Sequence, residues 1–205
     1  MANELNKPLN IQPVTLEGRH VRLEPLSFDH HAALSEVGLA EELWLWIPHP
    51  VRTPEDMREY IATALRWQAE GSALPFATVE RATGKVIGST RFMNIDKMNR
   101  RVEIGSTWLT PAWQRTAANT EAKFLMLRHA FEQWKCIRVE LKTDALNQKS
   151  RNAILRIGAQ EEGTLRRHLI TWTGRVRDTV YFSILDSEWP EVKRRLERRL
   201  EKASR

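Results

Sequence analysis

Apolar and polar residues alternate along much of the chain in short runs with a period of two, which is typical of β-strands. Runs bounded by Gly, Pro or turn residues predict strands at 20–24, 74–80, 86–93, 101–109, 137–143, 163–172 and 177–185. Capping residues and apolar residues three or four apart predict helices at about 27–38, 53–71, 119–134, 147–157 and from about 187 onwards. Residues 1–18 are predicted to be an extended lead-in.

This order of elements predicts an α+β, or mixed α/β, domain built on one twisted sheet. The strand at 101–109, the long helix after it and the strand at 137–143 form a crossover, which we expect to be right-handed and to join two parallel strands. The helix at 53–71 has a strong start signal, because Thr53 can cap it and Pro54 suits its first position.

Composition narrows the class of protein. The 205 residues are 41% hydrophobic and 28% charged, which suits a single folded domain. No run of about 18 apolar residues is present, so neither a transmembrane helix nor a membrane partner is expected. Cys136 is the one cysteine, which excludes a disulfide framework or a Cys-rich metal site. This cysteine usage, and an N-terminal segment without a secretory layout, favour a cytoplasmic protein.

The net charge of +6 is concentrated at the C-terminal end. Between Pro190 and Arg205 there are seven Lys or Arg residues and three Glu residues, a net charge of +4. We therefore divide the chain into one domain at 1–186 and a basic helix at 187–205. This helix is interpreted either as a packed or dimer-forming helix with a solvated basic face, or as a nucleic-acid-binding element. Its apolar stripe consists of Trp189, Val192, Leu196 and Leu200.

The most informative segment connects the strand at 101–109 to the helix that follows it. Thr116, Ala117 and Ala118 are small there, which leaves room for a ligand to approach the main chain. Free N–H groups in the first turn of the helix, together with the helix dipole, suit a diphosphate group. Arg115 can add a charge-assisted contact.

The pattern Gln114-x-x-Ala117-x-Asn119 resembles the acyl-CoA loop of the GNAT superfamily of N-acetyltransferases, Q/R-x-x-G-x-G/A, with Ala and Asn at its two small positions. Ala117 fits such a loop if its φ is negative and strains the loop if its φ is positive. Other segments resemble the RimJ/RimL-like branch of that superfamily and occur in the right order along the chain. These segments are 16–26, 104–105, 120–122, 141–150 and 174–185.

The resemblance implies a GNAT-like fold, in which a mostly antiparallel sheet contains one central parallel strand pair. It implies acetyl-CoA as cosubstrate and no metal. It also implies that the strand at 101–109 carries a bulge and diverges from its parallel neighbour, with the pantetheine arm in the gap. The residues it implies in cofactor binding are Thr107, Trp108, Leu109, Gln114, Arg115, Thr116, Ala117, Ala118, Asn119, Thr120, Asn147, Lys149 and Ser150.

Acetyl transfer to an amine requires a group that takes the amine proton. Glu103 is the candidate base and acceptor contact, because alternation places it on the side of its strand that we assign to the cleft. An apolar wall beside Glu103 would raise its pKa, and a solvated or salt-bridged strand glutamate is the alternative. Alternation assigns Val102, Ile104 and Trp108 to the core face and Glu103, Gly105 and Thr107 to the cleft face.

Four further groups complete the candidate site. The resemblance implies that Ser150 lies near the cofactor sulfur, where its hydroxyl would protonate the leaving thiolate, and Tyr181 is a second candidate for this role. Asn147 is explained either as a cofactor ligand or as a helix cap. The resemblance implies that Trp44 and Trp46 form one wall of the acceptor pocket, and packing in the core or in a lid is the alternative. A backbone N–H near Leu109 would stabilise the oxyanion.

The resemblance implies an N-acetyltransferase, and direct transfer in a ternary complex is expected because no activated nucleophile is evident. The acceptor is a protein N-terminus or a small-molecule amine, and a homodimer is left open. One alternative is an RNA- or ribosome-binding module that uses the basic C-terminal helix. The other is a non-catalytic GNAT-like protein that binds CoA.

Overall fold

A computed structural model describes residues 9–47 and 49–203, so residues 1–8 of the predicted lead-in lie outside the described residues. Within them, one sheet has the strand order β1-β2-β3-β4-β5-β6-β8-β7, and its neighbours are antiparallel except for β5 and β6. The predicted α+β class and its parallel strand pair are confirmed. The strands are β1 (Leu16–Glu17), β2 (Val21–Pro25), β3 (Leu74–Glu80), β4 (Val86–Asp96), β5 (Arg101–Leu109), β6 (Arg138–Asp144), β7 (Gln160–Ile170) and β8 (Val176–Leu185).

Five α-helices flank this sheet in the described part of the chain: α1 (His31–Gly38), α2 (Pro54–Ala69), α3 (Ala117–Arg128), α4 (Gln148–Arg156) and α5 (Trp189–Ala203). Single 3-10 turns lie at Phe28–His30, Glu41–Leu43 and Pro111–Trp113, and a π turn lies at His129–Gln133. The predicted cap of α2 is present. The Thr53 side chain accepts from the Asp56 amide, and the Asp56 carboxylate accepts from the Thr53 amide.

Two apolar cores lie on opposite faces of the sheet. The larger one gathers side chains of α3, α4 and α5 against one face, and it includes Phe124, Ile154 and Leu196. The smaller one gathers side chains of α1 and α2 against the other face, and it includes Leu34 and Met57. A helix layer on each face buries both sides of the central strands, which explains why β3 is buried along its whole length.

The C-terminal helix α5 packs into the larger core. Its predicted apolar stripe is buried there up to Leu196, with Leu200 packed against the edge. The Trp189 ring stacks on Phe131 at a centroid distance of 5.4 Å, and its Nε1 donates to Glu132. The apolar stripe of the helix is therefore occupied within this chain. Its basic residues lie on the outer face, and binding of nucleic acid there stays a prediction.

A buried carboxylate fixes the start of the sheet to α3. Glu121 accepts hydrogen bonds from the backbone amides of Arg19, His20 and Val21 at 2.6–2.8 Å. A Cβ on Gly18 would lie 2.5 Å from this carboxylate, so only glycine fits the turn beside it. These contacts explain two segments that carried the resemblance, the one at 16–26 and the one at 120–122, because they pack on each other.

The prediction for the two faces of β5 is wrong beyond Gly105. Between its pairings with Arg91 and Ser89 of β4, β5 contains one extra residue, and Ser106 there has a φ of +46°. A bulge of this kind moves every later side chain to the opposite face. Trp108 therefore packs in the smaller core, whereas Thr107 points toward α3 on the face of the larger core.

Candidate active site

The two parallel strands separate soon after they begin. β5 and β6 pair from Arg101 to Glu103 on β5 and from Arg138 to Glu140 on β6, and no pairing between them is found beyond these residues in the described chain. The bulge at Ser106 lies just past the last pair, and it increases the local bend of β5. An opening lined by main chain is therefore left between the two strands at their carboxyl ends.

The helix that follows β5 begins at this same edge of the sheet. Thr116 caps α3, since its Oγ1 accepts from the Ala118 amide at 3.2 Å. No hydrogen bond is found within the described residues for the amides of Arg115, Thr116, Ala117 and Asn119. Four N–H donors at the positive end of a helix dipole suit a diphosphate, so this chain's own residues fit the group that the resemblance implies.

The left-handed residue of this loop is Arg115, whose φ is +64°. Ala117 is the first residue of α3 and has no positive φ, so alanine at this position introduces no backbone strain. The Gln114 side chain folds back and donates to the Leu109 carbonyl at 3.1 Å, which closes the loop onto the end of β5. The side chain of Arg115 is exposed.

The other predicted loop residues do not all face solvent. Ala118 is 1% exposed and packs in the larger core, and its amide is taken by Thr116. Ala118 therefore leaves no space for a ligand, contrary to the expectation for small side chains here. Thr120 is buried as well, and Asn119 is half-buried with its Oδ1 lacking a hydrogen-bond partner among the described residues.

The helix that follows β6 also begins at this edge. Asn147 caps α4, because its Oδ1 accepts from the Ser150 amide at 3.0 Å. The interpretation of Asn147 as a helix cap is therefore confirmed, with Oδ1 as the capping atom. Ser150 is half-buried, and its hydroxyl has no hydrogen-bond partner among the described residues. Lys149 is exposed beside it.

Glu103 is 2% exposed and lies where β5 and β6 begin to diverge. Its Oε2 accepts from Asn94 Nδ2 at 2.7 Å and pairs with Lys142 Nζ at 2.9 Å. The expected apolar wall beside Glu103 is not found, because an amide and an ammonium group occupy that position. Oε1 accepts no hydrogen bond from the described residues and lies next to Gly105.

Lys142 links Glu103 to the next strand. Its ammonium lies 5.7 Å from the centre of the Tyr181 ring, and these two residues are paired across β6 and β8. Neither Lys142 nor Asn94 was predicted from the sequence. A signal for Lys142 existed, because it alternates with the buried Val139 and Leu141 and so faces the same side as Glu103.

The structure places the two predicted pocket tryptophans differently. Trp44 is 0% exposed in the smaller core, where its Nε1 donates to the Gly38 carbonyl, so it packs beneath the pocket. Trp46 is half-buried, and its carbonyl accepts from Arg177 Nη1 at 3.2 Å. Trp172, which the sequence did not single out, donates to the Trp44 carbonyl. The loop after α1 is therefore tied to the β7–β8 hairpin.

A buried lysine on α3 faces the bulge of β5. Lys123 Nζ donates to Thr107 Oγ1 at 2.5 Å and to Thr90 Oγ1 at 3.3 Å, and no carboxylate pairs with it in the described chain. Burial lowers the pKa of Lys123 from 10.5 to about 7. Lys123 could not be predicted from the sequence, since a lysine in a helix is ordinarily expected at the surface.

Replacing this lysine should stabilise the protein. Between pH 7 and 10.5 the unfolded chain binds one proton more than the folded chain at this position, so stability rises with pH across that window. The penalty is complete at lower pH and amounts to about 5 kcal/mol at most. We expect Lys123→Met to be more stable than wild type in urea unfolding at pH 6, with a gain that shrinks toward pH 10. Lys85→Met, at an exposed turn position, should leave the profile unchanged, and an unchanged profile for Lys123→Met would contradict this assignment.

Two structural features bear on the class of protein. Among residues 9–47 and 49–203, no group of three or more His, Cys, Asp or Glu side chains is arranged to hold a metal ion. No helix in that part of the chain combines the length and the apolar character needed to cross a bilayer. The predicted absence of a metal and the predicted cytoplasmic location stay predictions.

The fold and the β5–α3 loop define a GNAT acetyltransferase domain, and the chain belongs to that family, whose acetyltransferase domain matches residues 20–160. The protein named "Putative ribosomal N-acetyltransferase YdaF" of Bacillus subtilis is 35% identical over 106 residues, a match that spans 52% of this chain and 57% of that protein. A GCN5-related N-acetyltransferase from Brucella melitensis has a TM-score of 0.87 and 36% identity, over 95% of this chain and 89% of that chain.

A third protein of known structure resembles this chain in fold alone. Ribosomal-protein-S5-alanine acetyltransferase from Vibrio fischeri has a TM-score of 0.72 at 19% identity, over 86% of this chain and 98% of that chain. The predicted GNAT membership, the GNAT-like fold and the likeness to the RimJ/RimL-like branch are confirmed. Acetyl-CoA-dependent acetyl transfer is general to this family.

Proposed function

We propose that this protein transfers an acetyl group from acetyl-CoA directly to a primary amine. One observation carries the proposal: four amides at the start of α3 have no hydrogen-bond partner in the described part of the chain, and they lie at the edge where β5 and β6 separate. A diphosphate at the helix start directs the rest of the cosubstrate into the opening between the strands. The reactive thioester then lies near the carboxyl end of β5, within the part of the sheet that holds Glu103.

Glu103 is proposed to take the proton of the attacking amine. Lys142 and Asn94 hold its Oε2 in place, and Oε1 remains free to accept a hydrogen bond from the amine. A positioned carboxylate of this kind contributes about 10²–10⁴-fold to a proton-transfer step. The negative charge that develops on the acetyl oxygen would be stabilised by a backbone N–H of β5 near Leu109.

Ser150 is proposed to protonate the leaving thiolate. Its hydroxyl lies in the first turn of α4, at the same edge of the sheet, and donates to no described residue. Asn147 supports this role by fixing the first turn of α4 through its cap. Trp46 and the loop tied to the β7–β8 hairpin form one wall of the acceptor pocket, with Trp44 as packing behind it.

The acceptor is proposed to be a protein N-terminus or a small-molecule amine. A relative of this chain, YdaF, is named as a ribosomal N-acetyltransferase, and this supports a protein acceptor. The test is the release of free CoA thiol from acetyl-CoA in the presence of peptides and small amines. We expect product from at least one class of amine. Binding of CoA without product from any amine would instead support a non-catalytic CoA-binding protein.

A further inference from the structure

Arg91, in the middle of β4, carries a buried charge without a counter-charge. It is 2% exposed, and no hydrogen bond or ion pair joins its side chain to any residue in the described ranges 9–47 and 49–203. The nitrogen Nε is fully buried and lacks an acceptor. Burying a guanidinium in this way is unfavourable unless a partner arrives to pair with it.

The guanidinium of Arg91 lies over two aromatic rings. The Arg91 Cζ atom lies 4.7 Å from the centre of the Tyr60 ring and 5.5 Å from the centre of the Trp67 ring, both on α2. Such contacts orient the plane of an arginine but use none of its N–H groups. The edge of the guanidinium keeps its donors, in the fork geometry that matches a carboxylate.

Arg91 is a close neighbour of the proposed base. It is paired with Gly105 across β4 and β5, and Met93 is paired with Glu103 on the same face. The free oxygen of Glu103 lies 2.9 Å from the position that a Cβ on Gly105 would occupy. An amine at this oxygen would therefore carry its own substituents toward Arg91. The flexible side chain of Met93 lies over Gly105, and the substituent of the amine would displace it.

The nearby carboxylates are already matched by other cations. Glu103 pairs with Lys142, and Asp144 pairs with Arg175 and lies 3.8 Å from Arg177. Neither carboxylate neutralises Arg91. The region beside the base therefore has an excess of positive charge. An acceptor with an anionic group would neutralise this charge.

We propose that Arg91 binds a carboxylate of the acceptor, so that the substrate is an amine with a carboxylate close to it. This inference rests on the proposed function. The α-carboxylate of a free amino acid and the acidic side chain of a peptide's first residue supply the same chemistry. Arg91 is accordingly a specificity-determining residue, with Tyr60 and Trp67 as the rings that position it.

The test compares acceptors that differ only in this charge. Glycine is compared with glycinamide, and a peptide that begins with Asp is compared with one that begins with Asn. In wild type we expect kcat/KM to favour the carboxylate in one of these pairs by at least about 10-fold. In Arg91→Gln the ratio should fall to near one, with acetyl-CoA affinity unchanged. The pair that shows the preference identifies the source of the carboxylate.

A direct binding measurement keeps the inference separate from the activity. N-acetylglycine and N-acetylglycinamide are titrated into wild type, Arg91→Gln and Arg91→Lys in the presence of CoA, together with N-acetylated Asp and Asn peptides. A carboxylate preference of wild type that Arg91→Gln loses supports the inference even without turnover. No preference in wild type, or an equal preference in both proteins, overturns it. Absence of transfer to every amine would count against the proposed function alone.

Discussion

Ala117→Glu should lower the affinity for acetyl-CoA by at least about 100-fold. Ala117 is the first residue of α3, half-buried, and its amide is one of the four without a partner. A carboxylate there would repel the diphosphate and compete with it for the same N–H groups. An acidic residue at the start of a helix is favourable for folding, so the variant should fold. Calorimetric titration with acetyl-CoA measures the loss.

Ala117→Gln is the matched control, because it has the size of the glutamate without its charge. We expect it to lose no more than about 10-fold in affinity. Equal losses for the two variants would indicate that bulk rather than charge excludes the cosubstrate. Unchanged affinity in Ala117→Glu would mean that the diphosphate binds elsewhere.

Glu103→Gln should lower kcat by about 10²–10⁴-fold, the range expected when a positioned base is removed. The amide keeps the shape of the side chain but cannot take the amine proton. The loss should be largest at mildly acidic pH, where the amine is mostly protonated, and should shrink as the pH approaches the pKa of the amine. A pH–rate profile with an acetyl-CoA titration on the same protein separates this from a binding defect.

Glu140→Gln provides the comparison for this second variant. Glu140 is the Cα partner of Glu103 across the two parallel strands. Like Glu103 it forms ion pairs, in this case with Arg138 at 2.8 Å and with Arg101 at 3.3 Å. Its arginine partners are the first residues of β5 and β6, away from the carboxyl ends where the two strands separate. We expect Glu140→Gln to retain the wild-type pH–rate profile. If Glu103→Gln also retained that profile, Glu103 would not be the base.

The order of the elements was predictable because its signals are local. The Thr53 cap, the glycines and prolines at strand ends and the alternation of apolar residues each act within a few positions. The start of α3 was placed two residues late, because Thr116 rather than a later residue caps it. Its end was placed late as well, since a π turn at His129–Gln133 replaces the last α-helical turn.

The faces of β5 could not be predicted beyond its bulge. Ser106 adopts a positive φ, although no residue type in this segment predicts one. The extra residue at this bulge reverses the alternation for Thr107 and Trp108. The positive φ of the loop falls at Arg115 and leaves Ala117 unstrained, which the sequence left open. The burial of Ala118 could not be predicted either, because the direction of its side chain depends on the residue at which α3 begins.

The groups around Glu103 were missed because they come together only through the sheet. Asn94 and Lys142 lie on β4 and β6, on either side of the strand that holds Glu103. Arg91 and Tyr60 are likewise 31 positions apart and meet through the packing of α2 on β4. A single sequence identifies the strand and the residue type, whereas the pairing register decides which side chains meet.

A crystal structure of the protein with bound CoA tests the central claim most directly. We predict that the diphosphate oxygens lie within hydrogen-bond distance of the amides between Arg115 and Asn119, and that the pantetheine arm enters the opening between β5 and β6. The same four amides left without a ligand contact, with CoA bound at another surface, would contradict the account.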